Sequence, residues 1–486
     1  AMMWISGAMQ TVCLRIVDEF IVDMARICGR RIMNEEETVF LSAAERTDRP
    51  RSLFFLYCAA NIGILGLVYG AIIVGFQLSF LQAVLATVIG SFSFGFVGLM
   101  SLAGRDTGAV TFVLSRASFG FRGNLIPSVA ALIGHAGWLS INVCTGALTV
   151  LALFATLGLA ATPMTTGIAL AIFVLLVLAS VVFSHDMLIR MQTICTYLFG
   201  FFTLVILAII IPQTDWAMLL AMPDGDWAAN FLPALAFVAA GTGIGWTSYA
   251  ADYSCHQAVR YSRSRVGWAV TLGGVVPLVL MLGVGILLSS KVPDLASSSN
   301  PIEVIKGVLP VNLAILYYIT AIGGLTPQCF LGLKSSKLVL QAAHILVNER
   351  WILLFQTVVV TLIPAYILFV AQDFQGTLEG FLSIIGKLLA AWSSVFLMDY
   401  LLLRRTHGYD RVLLTDPVRN ALNSRGVISW VVGFVVGMLF SQTFVFTGPF
   451  ATGIFADNSL NVLLTLVVSG GLYSILVLFG DKRSAA

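Results

Sequence analysis

Apolar runs of about 20 residues, the length that crosses the hydrocarbon of a bilayer, recur along almost the whole chain. They fall near 52–74, 80–103, 126–155, 165–184, 188–212, 230–252, 266–289, 312–333, 351–371, 377–403, 427–447 and 459–480. In lipid, every backbone N–H and C=O must find its partner inside the protein, so runs of this kind are helices. The pattern predicts an all-α integral membrane protein with twelve transmembrane spans. Only 10% of the residues are charged, too few to cover a soluble chain of this length.

Lysine and arginine give the orientation. With the amino terminus in the cytoplasm, one set of alternate loops holds Arg105, Arg116 and Arg122; Arg190; Arg260, Arg263 and Arg265; Lys334, Lys337 and Arg350; and Arg404, Arg405, Arg411, Arg419 and Arg425. The other set holds Lys291 and Lys306 beside Asp215, Asp224, Asp226, Asp294, Glu303, Asp373 and Asp457. By the positive-inside rule both termini are cytoplasmic and the chain is a multi-pass protein of the cell membrane. The net charge of +3 carries no nucleic-acid signal, because the basic residues are spent on topology. The seven cysteines are scattered without metal-type spacing, so neither a disulfide framework nor a metal centre is expected. No Ser/His/Asp set and no cluster of histidines and carboxylates falls inside the spans, which argues against an enzyme.

Before the first span, residues 1–51 mix Trp4, Val12, Leu14, Ile16 and Phe20 with Arg15, Asp18 and Glu19. That is no signal-peptide core. It reads as a cytoplasmic segment, either an amphipathic helix lying on the membrane or a stretch outside the fold.

Polar and glycine-rich interruptions inside the spans mark the candidate site. In span six, Phe237 to Ser254, Gly241, Gly243 and Gly245 open an apolar run, followed by Trp246, Thr247, Ser248 and, at the expected water boundary, Asp252. Loosened backbone at membrane depth is tolerable only where it faces protein or a watery cavity. Glycines that merely let helices approach closely are the competing reading. Span one repeats the character five spans earlier with Asn61, Gly63, Gly66 and Gly70. Glycine-interrupted segments in corresponding positions of two halves point to a transporter site at a repeat interface. Spans one to five (52–212) and six to ten (230–403) are therefore read as inverted repeats, followed by a cytoplasmic loop (404–426) and two additional spans (427–480).

Three other spans carry candidates. Trp138 and Asn142 in span three are four residues apart and share a helix face, offering an aromatic plane and a two-way amide to a flat heterocycle. One turn earlier, His135 reads as a helix contact. Span eight holds Gly323, Gly324 and Pro327 with Thr320, Thr326 and Gln328, so a loosened or kinked helix is expected. Span ten holds the one intramembrane charge, Lys387. At about nine residues from the outer end and 1.5 Å per residue it lies roughly 13 Å deep, where a charge costs about 2.5–3.5 kcal/mol on insertion scales. It is read as a coupling or gating charge, or as a lysine reaching a watery vestibule.

Four stretches in register resemble one known family. CAANIGILGLVYGA in span one, GAVTFVLSRASFGFRG after span two, SYAADYS at the end of span six and FLMDYLLLRRTHGYD at the end of span ten are similar to the nucleobase:cation symporter-1 family, whose relatives include purine/cytosine permeases and allantoin and hydantoin transporters. The resemblance implies a five-plus-five inverted repeat of the leucine-transporter type, with broken first and sixth helices and alternating access. It implies a symporter importing a small planar N-heterocycle on a cation gradient, with no cofactor beyond a sodium ion or a coupled proton. A membrane ligand sensor on the same fold is the alternative. Carried over by position, Trp138 is the stacking tryptophan and Asn142 the amide on the ring; Trp246, or its neighbours Gly245 and Thr247, fills the second aromatic slot. The chain departs from the pattern at Leu65, where a polar side chain is usual, and in span eight, where Gly324 and Leu325 replace asparagine and Gln328 follows a turn later. The sodium site implied is the Asn61 and Ile64 carbonyls with Thr320, one hydroxyl short of the usual pair.

Overall fold

The structure, a computed structural model, describes residues 40–179, 184–292, 310–345, 348–371, 374–443, 446–456 and 460–480. The surface-helix reading of residues 1–39 lies outside them, as do Asp294, Glu303, Lys306, Asp373 and Asp457.

Among the described residues, nine helices are long and apolar enough to cross a membrane: Phe80–Thr107, Leu125–Thr156, His185–Gln213, Trp227–Ser254, Arg263–Ser289, Val311–Ala342, Glu349–Ala371, Ser383–His407 and Leu460–Phe479. They occupy the places of spans two, three, five to ten and twelve. Span one is a pair, Pro50–Asn61 and Leu65–Gly75, bent by 64°. Two shorter apolar helices, Pro163–Ala179 and Ser424–Leu439, stand where spans four and eleven were expected.

Many helix starts are set by small polar side chains, because the first turn has donors without intrahelical partners. Ser79 and Gln82 form a capping box at the start of span two, and Ser184, Ser262 and Asn348 cap spans five, seven and nine.

Packing follows the repeat. Span seven lies on spans one and two, and span six on span two; span five lies on spans one and eight, and span ten on spans six and three. Adding five to every number turns the pair one–seven into six–two, five–one into ten–six and five–eight into ten–three, while three–eight and two–seven map onto themselves. This is the five-plus-five fold, held by helix contacts that occur in equivalent pairs. Spans eleven and twelve pack against span ten and each other, outside this core.

The face rich in arginine is closed by the segment after span two. Phe112 stacks on Trp392 of span ten at 4.8 Å, and the Trp392 indole N–H donates to Ser115 at 2.9 Å. Arg116 is buried and donates to the carbonyls of Leu414 and Ala342, the latter at the end of span eight, so that its charge sits on helix-terminal oxygens. Gly120 has φ +73°, and a Cβ there would sit 2.6 Å from Leu422 Cα; only glycine fits.

Candidate functional site

The break in span one builds one wall of a central cavity. After Asn61 the chain leaves the helix for Ile62, Gly63 and Ile64 and re-enters it at Leu65. Asn61 ends the helix, and its Nδ2 donates to the Tyr57 carbonyl one turn back at 2.8 Å. Gly63 faces open space, and the nearest atom to a Cβ added there is Gln328 Oε1 at 3.8 Å.

Spans one, three, six, seven and eight enclose the cavity, which leaves about 70 Å³ for the centre of a water-sized molecule to move in. Its wall includes Asn61 and Leu65 of span one, Trp138 and Asn142 of span three, Gly245 and Trp246 of span six, and Gln328 of span eight. Trp138 lies against span six, with Nε1 and Cζ2 each 3.3 Å from where a Cβ of Gly245 would sit. On its other side it meets the ring of Phe381 from span ten edge-on, at 5.8 Å and 90°. Trp246 is held by Tyr57 at 5.9 Å and Tyr249 at 4.9 Å. Asn142 is 5% exposed and its Oδ1 has no hydrogen-bond partner, a condition that is costly for a buried amide unless a ligand or water completes it.

Four expected residues are not on this wall. Thr247 is buried and its hydroxyl donates to Ile244 O at 2.6 Å. Ile64 sits in the turn, its carbonyl accepting from Leu67 N at 3.1 Å. Thr320 donates to Leu316 O at 2.6 Å. Lys387 is 0% exposed and faces spans eleven and twelve. Its Nζ donates to Asn461 Oδ1 at 3.5 Å, and its Cδ lies 3.2 Å from where a Cβ of Gly437 would be.

Other expectations are refined or corrected. Span six does not bend as span one does; it changes pitch, with wider turns over Ala240–Ile244 and a tight one over Thr247–Tyr249. Span eight runs unbroken from Val311 to Ala342 in spite of its glycines and proline. Asp252 is not at a water boundary: it is 1% exposed, beneath the segment after span two. His135 makes the helix contact its place suggests, with Nε2 3.0 Å from Ser248 Oγ. The wall also includes Thr242, one of the span-six hydroxyls, and Tyr69, Tyr249, Leu278 and Leu282, which sequence reasoning passed over. Tyr69 was within reach, since it follows Leu65 by four residues on the same helix face.

A broken first span, a polar and aromatic cavity beside it and helix contacts repeating at an interval of five define a membrane carrier of the leucine-transporter fold. Residues 41–458 match the family of permeases for cytosine/purines, uracil, thiamine and allantoin, and the chain belongs to that family. It is 25% identical over 470 residues to the purine-cytosine permease homologue YxlA of Bacillus subtilis, an alignment covering 91% of this chain and 96% of that one. In fold it is similar to Mhp1, a nucleobase-cation-symport-1 transporter solved in a closed conformation with bromovinylhydantoin bound. The TM-score is 0.71 at 16% identity, over 92% of this chain and 96% of that one. A Na⁺-coupled sialic acid symporter shares the fold at TM-score 0.61 and 11% identity, over 95% of this chain and 97% of that one. The protein is thus a multi-pass membrane permease of this family rather than an enzyme. Its solved neighbours include cation-coupled symporters.

Proposed function

We propose that this protein imports a small planar N-heterocycle, such as a nucleobase, an allantoin- or hydantoin-like compound or a vitamin-like ring, across the cell membrane with its basic face and both termini in the cytoplasm. The observation that carries this reading is the partnerless Asn142 oxygen, buried on an aromatic-walled cavity at the break in span one. Trp138 stacks on the ring, Trp246 closes the far side, and each aromatic face contributes roughly 0.5–1.5 kcal/mol beyond area. Asn142 and Gln328 read the polar edge. Gly245 lets Trp138 lie close, and Leu65 leaves one edge unread. With so few amides, dioxo rings such as uracil rank low and an unusual base or vitamin-like ring ranks high. Phe381 on Trp138 is the outer cover that span ten withdraws.

The repeats are 52–212 and 230–403, with 404–426 as a cytoplasmic loop and 427–480 as an added pair of spans. Lys387 ties span ten to that pair rather than to the substrate. A cation gradient drives uptake. A sodium ion would draw on the Asn61 and Ile64 carbonyls and on the Thr320 oxygen, whose hydrogen goes to Leu316 and whose lone pairs stay available. A hard cation takes about six oxygens, and three make a poor set, which favours the proton.

The test is tryptophan fluorescence of purified protein titrated with cytosine, adenine, hypoxanthine, uracil, allantoin, benzyl-hydantoin, thiamine and pyridoxine, with and without sodium. Saturable quenching that disappears in Trp138→Phe is expected. Trp138→Ala and Asn142→Ala are expected to abolish uptake while membrane insertion persists, and normal uptake in both would sink the site. Counterflow in liposomes separates a carrier from a sensor, which binds without exchanging.

A further inference from the structure

Between the cavity and the basic face lies a second polar centre, built around Asp252. Tyr249 is on the cavity wall, and Asp252 follows three residues later, about 4.5 Å further along the helix at 1.5 Å per residue. One carboxyl oxygen accepts the Thr111 N–H at 2.9 Å. The other, Oδ2, is buried with no donor inside hydrogen-bond distance; the Thr111 and Ser335 hydroxyls are the groups placed to reach the carboxyl. A carboxylate asks for donors at both oxygens, whereas a carboxylic acid asks for fewer, and an enclosed anion left half-satisfied is expensive.

Its surroundings are nearly free of charge. Span one presents the Tyr57 hydroxyl, span six Tyr249 and Tyr253 with Cys255 just beyond, and span eight Ser335 and Lys334. Lys334 is the one cation in this group. Tyr57 stands between the two centres, its hydroxyl within electrostatic range of Asp252 and its ring supporting Trp246 on the cavity wall.

From Lys334 a chain of titratable groups runs to the basic face. Its Nζ lies 3.2 Å from His185 Nδ1, and His185 Nε2 lies 2.9 Å from Asp48 Oδ2. An ammonium has no lone pair to offer, so His185 Nδ1 accepts and its Nε2–H donates. The backbone of Asp48 is bonded to the strip after span six, its N–H donating to His256 O and its carbonyl accepting from Ala258 N, each at 3.0 Å. His256 stacks on His185 at 3.9 Å. Burial above all, then His185 and Lys334, push the His256 imidazole down to about 2, so it is no proton carrier in this arrangement.

We propose that Asp252 is the proton site of this transporter, carrying a proton inward with each substrate molecule. The proton enters from the outer face through the empty cavity, past Tyr249 and Tyr57, and is held on the enclosed carboxyl while Asp48, His185 and Lys334 seal the basic face. When that face opens, the Asp48–His185–Lys334 chain parts and water reaches Asp252. The O–H bond breaks, the proton passes to cytoplasmic water, and the carboxylate left behind pairs with Lys334. This rests on the cavity being the substrate site.

The test uses full-length protein in sodium-free proteoliposomes loaded with pyranine. The substrate is whichever of cytosine, adenine, hypoxanthine and pyridoxine exchanges in counterflow. Wild type is expected to acidify the lumen on substrate addition. Asp252→Asn is expected to keep counterflow and lose acidification, and Asp252→Glu to restore it. A wild type that exchanges without acidifying, or an Asp252→Asn variant that still acidifies, overturns the proposal. Absence of counterflow in wild type strikes the substrate site instead. Infrared pH-difference spectra then decide the proton site, needing neither a substrate nor a stable Asn variant. A protonated-carboxyl C=O band that moves in Asp252→Glu supports it, and a band that is absent or unmoved overturns it.

Discussion

Spans one and six occupy the same place in the two repeats, and both carry glycines at mid-depth, yet Gly63 of span one serves an opposite end from Gly241 and Gly243 of span six, while Gly66 and Gly70 of span one are packed against span seven. Span one breaks and bends, and its Gly63 looks into open space beside Gln328. Span six stays one continuous helix, and two of its glycines are filled by neighbours. A Cβ at Gly241 would meet the Tyr69 ring at 2.4 Å, and one at Gly243 the Ser93 backbone at 2.2 Å. Glycine at membrane depth is therefore two signals: one frees backbone for a cavity, the other lets helices close on each other.

The largest effect is expected where the glycines of span six are packed most closely. Gly243→Ala drives a methyl into the backbone of span two, and overpacking of this kind costs about 1–3 kcal/mol or more. A lowered unfolding midpoint in detergent and loss of surface expression should follow; a wild-type midpoint would break the distinction between the two spans. Next comes Gly245→Ala, whose methyl lies 3.3 Å from the Trp138 indole. The indole has to yield by a few tenths of an ångström, so substrate affinity should fall several-fold in the fluorescence titration while the midpoint holds.

Smaller still is Asn61→Ala. It removes the donor to Tyr57 O at the break, and side-chain hydrogen bonds inside membranes average about 0.6 kcal/mol. The stability change should be slight and the transport change larger, because the bend of span one shapes the cavity. Equal losses in both would show Asn61 to be a mere fold residue.

How much of this was legible in the sequence divides along the same line. Apolar runs fix spans because the bilayer imposes length and internal hydrogen bonding, and the placement of Trp138 and Asn142 on one wall needed only the helical period. What glycine does in span six was not legible, since Gly241 and Gly243 are defined by Tyr69 and Ser93, which lie in other helices. Lys387 shows the same limit. Depth made it look like a coupling charge, but depth does not say which way a helix face turns, and this one turns toward Asn461 and Gly437. Asp252 was misread as a boundary residue because the segment that buries it comes from after span two, more than a hundred residues earlier.

The smallest effect is the sharpest test of the comparison. Gly63→Ala adds a methyl whose nearest neighbour is a flexible glutamine oxygen at 3.8 Å, an ordinary contact that asks nothing to move. Ile62 beside it already departs from helical dihedrals and Gly63 has no positive φ, so the midpoint should be unchanged or slightly raised, since alanine restricts the unfolded chain more than glycine does. The methyl does take up space next to Gln328, and a modest rise in KM confined to the bulkier rings is expected. A Gly63→Ala variant as unstable as Gly243→Ala would mean that the break in span one is packed shut like span six, and that the cavity beside it is a by-product of the bend rather than the reason for it.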